Sequence, residues 1–409
     1  MNRIPNHDFN QTGKKMNSFK SHVLGLLVGL SATALFSQAP ADSGLAPAAP
    51  KPAGLTAKGG GVFINSEDGR GVIRFMGYAQ PVFMLTAESN KQAYKVPTFF
   101  VRRARADFKA EYDSLYTLFF EFDAGTAAGT SLVEGYTQAA LIKDHLNFRL
   151  GKYIQPFSAE NLRSSRALET VERFQALNTL IGLPAFDANI GAMLFGTVDA
   201  GKTLKYYLSV NNGTNTAAQG GNVKDGNSDK DMIARLEFAP NKMFKLGAAY
   251  DYDKEKAQTL AMKSYSGAVY DSLRVYGARH AVDVDAHAVL GKLGLDAEWL
   301  MAMFPDTNAA FQGGYAQVAY WVKGSEAEGG WEPLFRAEYS KLSADNAPPE
   351  VDGCTMMAFT LGVNWWANQW ARWQVNIIEE TTSGKGNAVY AAKDGKFLPT
   401  AFAEFQIKF

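Results

Sequence analysis

Along most of the chain, apolar and polar residues alternate in runs of about ten, each run ending in a turn signal. The clearest run begins at Pro97 and reads PTFFVRRARADFKAEYD. Phe100, Ala104, Ala106, Phe108, Ala110 and Tyr112 fall on one face, and Arg103, Arg105, Asp107, Lys109 and Glu111 on the other. Successive side chains of a β-strand point to opposite faces, so this segment is predicted to be a strand with one apolar and one charged side. The same reading predicts sixteen strands, at 71–87, 97–112, 114–124, 131–142, 145–154, 188–198, 202–212, 230–239, 242–253, 281–290, 292–303, 313–323, 330–341, 354–366, 368–380 and 399–409. The connections alternate as well. Short ones (Asp113-Ser114, Lys143-Asp144, 199–202, 239–241, Gly291-Lys292, Ala367-Asn368, with 323–330 somewhat longer) take turns with long polar ones at 88–96, 125–130, 155–187, 213–229, 254–280, 304–312, 342–353 and 381–398. A transmembrane β-barrel has this rhythm, with short turns at one rim, long loops at the other and an even number of strands. A soluble sandwich has no reason to keep it. The expected fold is therefore an all-β transmembrane antiparallel β-barrel of about 16 strands.

The N-terminus breaks the pattern. Lys14, Lys15 and Lys20 precede the apolar run Val23–Phe36, which is followed by Ala39-Pro40-Ala41. Basic, apolar and small-residue regions in that order make a secretory signal peptide, expected to span 1–41. The apolar run is short of the roughly 20 residues a spanning helix needs. Residues 42–66, Ala/Pro-rich at their start, are expected to form a periplasmic leader, with a short strand or plug from 59 onward; 67–409 forms the barrel domain. Without 1–41 the chain holds 37 basic and 40 acidic residues, so nothing points to a nucleic-acid partner. The single cysteine, Cys354, excludes an intrachain disulfide. Tryptophans 365, 366, 370 and 373 cluster at one short turn, and Tyr250 and Tyr252 near a long-loop end, as an interface girdle would. The last strand, TAFAEFQIKF, alternates up to Phe409 and is similar to the assembly signal of bacterial outer-membrane proteins.

Candidate chemistry is carried by cations. Arg103, Arg105 and Lys109 share one face of the second strand, while strict alternation turns Arg102 away, to snorkel or to sit at a bulge. Arg149 and Lys152 lie on the fifth strand; Arg163, Arg166 and Arg173 lie in the connection 155–187, among Glu160, Glu169 and Glu172. From 149 to 173 there are five basic and three acidic residues. Arginine suits oxyanions because its planar fork donates two parallel hydrogen bonds. The competing reading is that these cations pair with carboxylates and brace the segment. Two motifs look like other chemistry. GTVDAGKT (196–203) has phosphate-loop spacing but precedes a strand instead of the required helix. Asp283, Asp285 and His287 share a strand face, where a polar lumen lining explains them better than a metal. No catalytic constellation, metal site or cofactor site stands out, so an enzyme is not expected.

FFVRRARADFKAEY, FFEFDA and LNFRLGKYIQPFSAENLRSSRALETVER, with weaker anchors up to AEFQIKF, resemble the phosphate-selective porin O and P family. The resemblance implies a trimeric outer-membrane channel whose third external loop folds into the lumen and whose arginines draw anions inward. Arg102, Arg103 and Arg105 match the family's arginine motif, and Glu160, Ser164, Ser165, Glu172 and Arg173 its long-loop pattern. Gly151-Lys152-Tyr153-Ile154 and Glu134-Gly135-Tyr136 depart from it, which bears on fine selectivity. The expected function is passive diffusion of small anions, phosphate or related oxyanions, through a constriction in the bacterial outer membrane. Arg103, Arg105, Lys109, Arg149, Lys152, Arg163, Arg166 and Arg173 are expected to line it, with Glu160, Ser164, Ser165, Glu169 and Glu172 bracing the loop. Expected partners are outer-membrane lipid, lipopolysaccharide and two further copies of the chain. A general diffusion pore is the alternative within the same class, and an outer-membrane barrel enzyme the remote one.

Overall fold

In the computed structural model the alternating runs pair with their chain neighbours, antiparallel throughout. The structure describes residues 54–58, 61–86, 97–125, 129–183, 186–213, 228–344, 353–383 and 398–409. The expected signal peptide, the first part of the leader and much of several long connections lie outside the described residues. Two short strands, β1 (Gly54–Lys58) and β2 (Gly61–Asn65), come first. The barrel strands are β3 (Gly71–Thr86), β4 (Thr98–Tyr112), β5 (Tyr116–Asp123), β6 (Ser131–Ile142), β7 (Leu146–Ile154), β8 (Ala188–Thr197), β9 (Leu204–Asn211) and β10 (Asp231–Phe238). They continue with β11 (Phe244–Lys263), β12 (Val269–Leu290), β13 (Leu293–Phe304), β14 (Ala309–Tyr320), β16 (Gly329–Ala344), β17 (Cys354–Asn368), β18 (Ala371–Ser383) and β19 (Leu398–Lys408). The short β15 (Lys323–Ser325) sits within the β14–β16 turn. β19 pairs with β3, Thr400 opposite Thr86 and Lys408 opposite Tyr78, so sixteen strands close into a barrel and bury both sheet edges.

Alternation decides which face looks out. On β10, Met232, Leu236 and Phe238 are exposed, while Asp231, Arg235 and Glu237 between them are buried. On β17 and β18, Leu361 and Ile377 face outward and Thr360, Asn364, Gln374 and Asn376 inward. An apolar exterior around a polar interior is what a barrel in lipid requires.

The structure differs from the expected pattern of strands and connections in two places. The expected loop 254–280 is instead a hairpin: β11 and β12 run on to Lys263 and back from Val269, leaving only 264–268 as its tip. Leu260, Met262, Tyr270 and Val275 are buried along it, so its alternation belongs to a strand. Tyr250 and Tyr252 therefore lie mid-strand, flanking His280. The expected loop 304–312 shrinks to Pro305–Asn308, so the contrast in connection length fails at these two sites. In the expected leader, β1 and β2 pair with each other and β2 with β3, extending the sheet past the end of β19. Of the clustered tryptophans, Trp365 and Trp373 are exposed whereas Trp366 is buried under Lys408 and Arg372.

A second core lies inside the barrel. Towards the long-loop rim the inward positions turn apolar (Leu300, Phe304, Phe311, Leu342, Met356 and Phe402) and form one buried cluster with Phe174, Leu177, Leu180 and Phe186 of the 155–187 connection. Leu260, Met262 and Tyr265 of the hairpin complete it. Gly313 on β14 is what lets the connection approach: a Cβ there would fall 2.5 Å from the Tyr339 carbonyl oxygen and 2.7 Å from the Ala176 Cβ. Gly313→Val should displace the connection and also strain the β14–β16 pairing, seen as faster proteolysis within 155–187 together with a lower thermal midpoint.

Candidate functional site

The connection 155–187 leaves β7 through Ser158, whose positive φ of 68° turns the chain and whose Oγ accepts the Asn161 N–H at 3.1 Å. It contains two short helices, α1 (Ala159–Leu162) and α2 (Gln175–Ile181). An irregular buried backbone must find partners for its polar groups, and here the barrel wall supplies them. The Glu160 N–H donates to Glu298 on β13 at 3.0 Å, Val171 to Asn376 on β18 at 2.8 Å, and Gln175 to Glu338 on β16 at 2.8 Å. The Leu168 carbonyl accepts from Arg372 at 2.8 Å and from Gln374 at 3.1 Å. Tyr265, at the hairpin tip, ties the two insertions together by donating its hydroxyl to Glu338 and to the Arg173 carbonyl.

Most of the cations singled out in the sequence have partners. Arg103 is buried and donates to Gln80 at 3.0 Å and to the Val171 carbonyl at 3.4 Å. Arg105 binds Glu121 and Asp123, Lys109 binds Glu111 at 2.9 Å, and Arg166 lies 3.6 Å from Asp107. Lys152 donates to the Leu132 carbonyl at 2.7 Å. Arg163 is held between Glu169 at 2.5 Å and Asp296 at 2.9 Å. Arg173 turns back into its own segment, to the Ser165 hydroxyl at 3.2 Å and the Arg163 carbonyl at 3.1 Å. Ser164 precedes a 3₁₀ turn without a capping bond from its side chain. Arg102 sits at a β-bulge, where Gln80 faces Arg103 and Pro81 faces Val101; the extra residue escapes the alternation and grips Glu172 at 2.5 and 2.9 Å.

Four further buried arginines were not legible as a group, because each stands alone in an ordinary alternating strand. Arg336 reaches Glu160 at 2.5 Å and Gln317 at 2.8 Å. Arg235 bridges Asp283 and Asp285, at 2.9 and 2.5 Å. Arg279 binds Asp251 at 2.9 Å, and Arg372 reaches Gln406 at 3.0 Å. His287, aligned in sequence with the two aspartates, instead contacts Asp296 at 2.7 Å. The GTVDAGKT segment is the β8–β9 turn, with Asp199 accepting from the Thr203 and Leu204 backbone and Lys202 paired to Asp144.

The two sides of the lumen differ. Inward positions of β16–β18 are sealed against the connection, whereas Lys109, Arg149, Lys205 and Tyr207 on β4 to β9 stay partly exposed. A cavity of about 470 Å³ opens on this side towards the short-turn rim, bounded by Arg149, Lys205, Tyr207, Lys245, His287 and the α1 segment, with the carboxylates of Glu237, Asp285, Asp296 and Glu298 also in its wall. Among the described residues Arg149 and Lys245 form no ion pair, and Arg149 donates only to the neutral Gln138, at 2.9 and 3.2 Å.

Within the connection, burial pushes the Glu172 carboxyl up, but the charge and hydrogen bonds of Arg102, with Arg103 and Arg173 nearby, outweigh it and hold the group below its usual 4.5. A lowered carboxylate stabilises above its unfolded value and loses that contribution only as pH falls through the folded one. The attachment at Glu172 should therefore survive at pH 4.5 and fail below it. Single-channel current noise recorded from pH 7 to pH 3 would show this as a late onset.

A family model described as phosphate-selective porin O and P matches residues 84–403. No curated protein sequence matches the chain. Among solved structures, a loop L8 deletion mutant of OmpT, an outer-membrane protein of Vibrio cholerae, aligns with a TM-score of 0.60 at 11% identity, covering 83% of this chain and 100% of that one. In-vitro folded OmpT in its trimer form gives 0.57 at 13% identity, over 83% and 100%. The outer-membrane channel DcaP of Acinetobacter baumannii gives 0.55 at 9%, over 85% and 99%. At these identities the likeness is one of fold.

Proposed function

Because the chain belongs to the phosphate-selective porin O and P family, we propose that this porin of the bacterial outer membrane passes small anions, phosphate or related oxyanions among them. The signal peptide at 1–41 exports the chain. The connection 155–187 narrows the lumen as its third external loop, and solutes pass along the open side beside β4 to β9. The observation that carries this reading is Arg149 with Lys245, two cations that face that space and, among the described residues, form no ion pair, while Glu160, Glu237, Asp285 and Asp296 in the same lining are paired with other cations. An anion channel needs fixed positive charge that offsets lost hydration without being neutralised by the wall. Lys109 and Lys205 contribute more weakly, each sharing its charge with a glutamate. Arg103, Arg163, Arg166 and Arg173 act with Glu160, Ser164, Ser165, Glu169 and Glu172 chiefly to brace the loop, whereas Arg105 and Lys152 are held by partners on the barrel wall. The trimer form of OmpT supports a homotrimer, with the apolar exterior against outer-membrane lipid and lipopolysaccharide. The porin family and fold favour a channel over an enzyme.

The extent of internal ion pairing favours a second reading, a general diffusion pore with little charge preference. Reversal potentials in a KCl gradient across a planar bilayer separate the two. An anion-selective potential, with current blocked by added phosphate, is the expected result. Cation selectivity would sink the anion reading, and failure of phosphate to block would sink its phosphate component.

A further inference from the structure

The residues around Arg149 are aromatic. Its guanidinium carbon lies 4.0 Å from the centroid of the Tyr136 ring and 5.0 Å from that of Phe195. Phe195 and Tyr207 sit across the β8–β9 pair with rings nearly parallel, 7° apart at a centroid separation of 6.1 Å. Both Arg149 hydrogen bonds are made by Nε and Nη2, to the same Gln138 oxygen, so the Nη1 edge is uncommitted. Arg149, Phe195, Tyr207 and Lys245, which among the described residues forms no ion pair, all border the same cavity of about 470 Å³. The five carboxylates that also line it are engaged by other groups: Glu160 by Arg336, Glu237 by Lys205, Asp285 by Arg235, Asp296 by Arg163, and Glu298 by the Glu160 N–H.

A bare oxyanion would use the charges and leave the rings idle. The rings cost solvation when left wet, and a guanidinium held over aromatic faces favours a partner that offers both an anionic group and a flat apolar surface. We propose that this cavity is a binding site for small aromatic carboxylates. The carboxylate would meet the free Nη1 edge of Arg149 with Lys245 as a second positive charge, and the ring would lie against Phe195 and Tyr207. The site rests on the channel reading in one respect only: that solutes reach the cavity through the lumen. The volume suits a single-ring ligand, since pockets of roughly 300–1,000 Å³ take small molecules.

The test uses the purified full-length protein in detergent and in planar bilayers, with benzoate as probe. Cyclohexanecarboxylate, of similar size and charge but without a π face, and inorganic phosphate serve as comparisons. Calorimetric titration should show benzoate binding more tightly than either comparison. Arg149→Gln should weaken it about tenfold, with Phe195→Leu removing the preference for benzoate over cyclohexanecarboxylate. Neither side chain joins an ion pair of the wall, so both variants should fold, and an unchanged thermal melt verifies it. In bilayers, benzoate should block current at lower concentration than cyclohexanecarboxylate. Anion-selective current with no preference for benzoate would overturn the site and leave the channel standing. Benzoate binding by calorimetry without any current would support the site and overturn the channel.

Discussion

Arg336→Met should cost the fold about 3–5 kcal/mol and release the 155–187 connection from the wall, because removing one partner of a buried pair strands the other as an uncompensated charge. Two carboxylates depend on this guanidinium. Glu160 lies 2.5 Å from it and Glu338 4.0 Å, and all three side chains are essentially sealed from solvent. Glu160 also receives the Phe174 N–H at 2.9 Å, and Glu338 that of Gln175 at 2.8 Å, so the charge cluster holds the start of α2. The expected phenotype is a lower denaturation midpoint together with a larger, noisier single-channel conductance. Glu160→Gln is the informative partner variant. It keeps an acceptor for Phe174 but leaves Arg336 with Glu338 alone, so a milder loss of the same kind is expected. A midpoint unchanged by Arg336→Met would show that the cluster does not hold the connection.

Phe174→Ala should act on the same segment by packing instead of charge. The ring is fully buried, 4.7 Å from that of Tyr315 on β14, within the core inside the barrel. Truncating a buried phenylalanine costs about 3–5 kcal/mol through lost transfer energy and the cavity left behind. The sixteen-strand wall does not include this residue, so the loss should fall on docking of the connection. Conductance should rise while β-sheet content and resistance of the barrel to detergent extraction stay as they were. Loss of the barrel itself would mean that wall and interior form a single cooperative unit.

Strand number and pairing were legible because lipid imposes a period of two that no other requirement overrides. The span Trp299–Phe304 shows where the reading ran short. Six consecutive apolar residues do not alternate, and a barrel strand has no use for an apolar inner face unless something apolar packs against it. In the structure Trp299 faces out while Leu300, Ala302 and Phe304 are buried against the connection and the hairpin. The run was thus a sign of the interior core, visible in sequence but without a stated partner. The hairpin at 254–280 was missed for a related reason: Leu260, Met262 and Tyr270 are separated by charged and small residues that resemble a surface loop. The candidate site was only partly legible. Charge counting found Arg149 and the cations of the loop, but whether each is free or paired depends on carboxylates supplied by strands far along the chain. Arg102 was legible as an exception to the alternation, and of the two outcomes open to it, snorkelling or a bulge, the structure has the bulge; its partner Glu172 was not legible.

The core inside the barrel also imposes an order of assembly. Glu160 and Arg336 are separated by 176 residues, and the Leu168 carbonyl meets Arg372 across 204. Neither contact has a partner to meet until β16 and β18 are in place. Strand pairing between chain neighbours is local and can proceed hairpin by hairpin, whereas the interior must wait for the wall. Folding into a bilayer should therefore end in a slow step that adds no strand. A ring of paired strands would form first, its loop still wet, and would then dry from within as the connection docks.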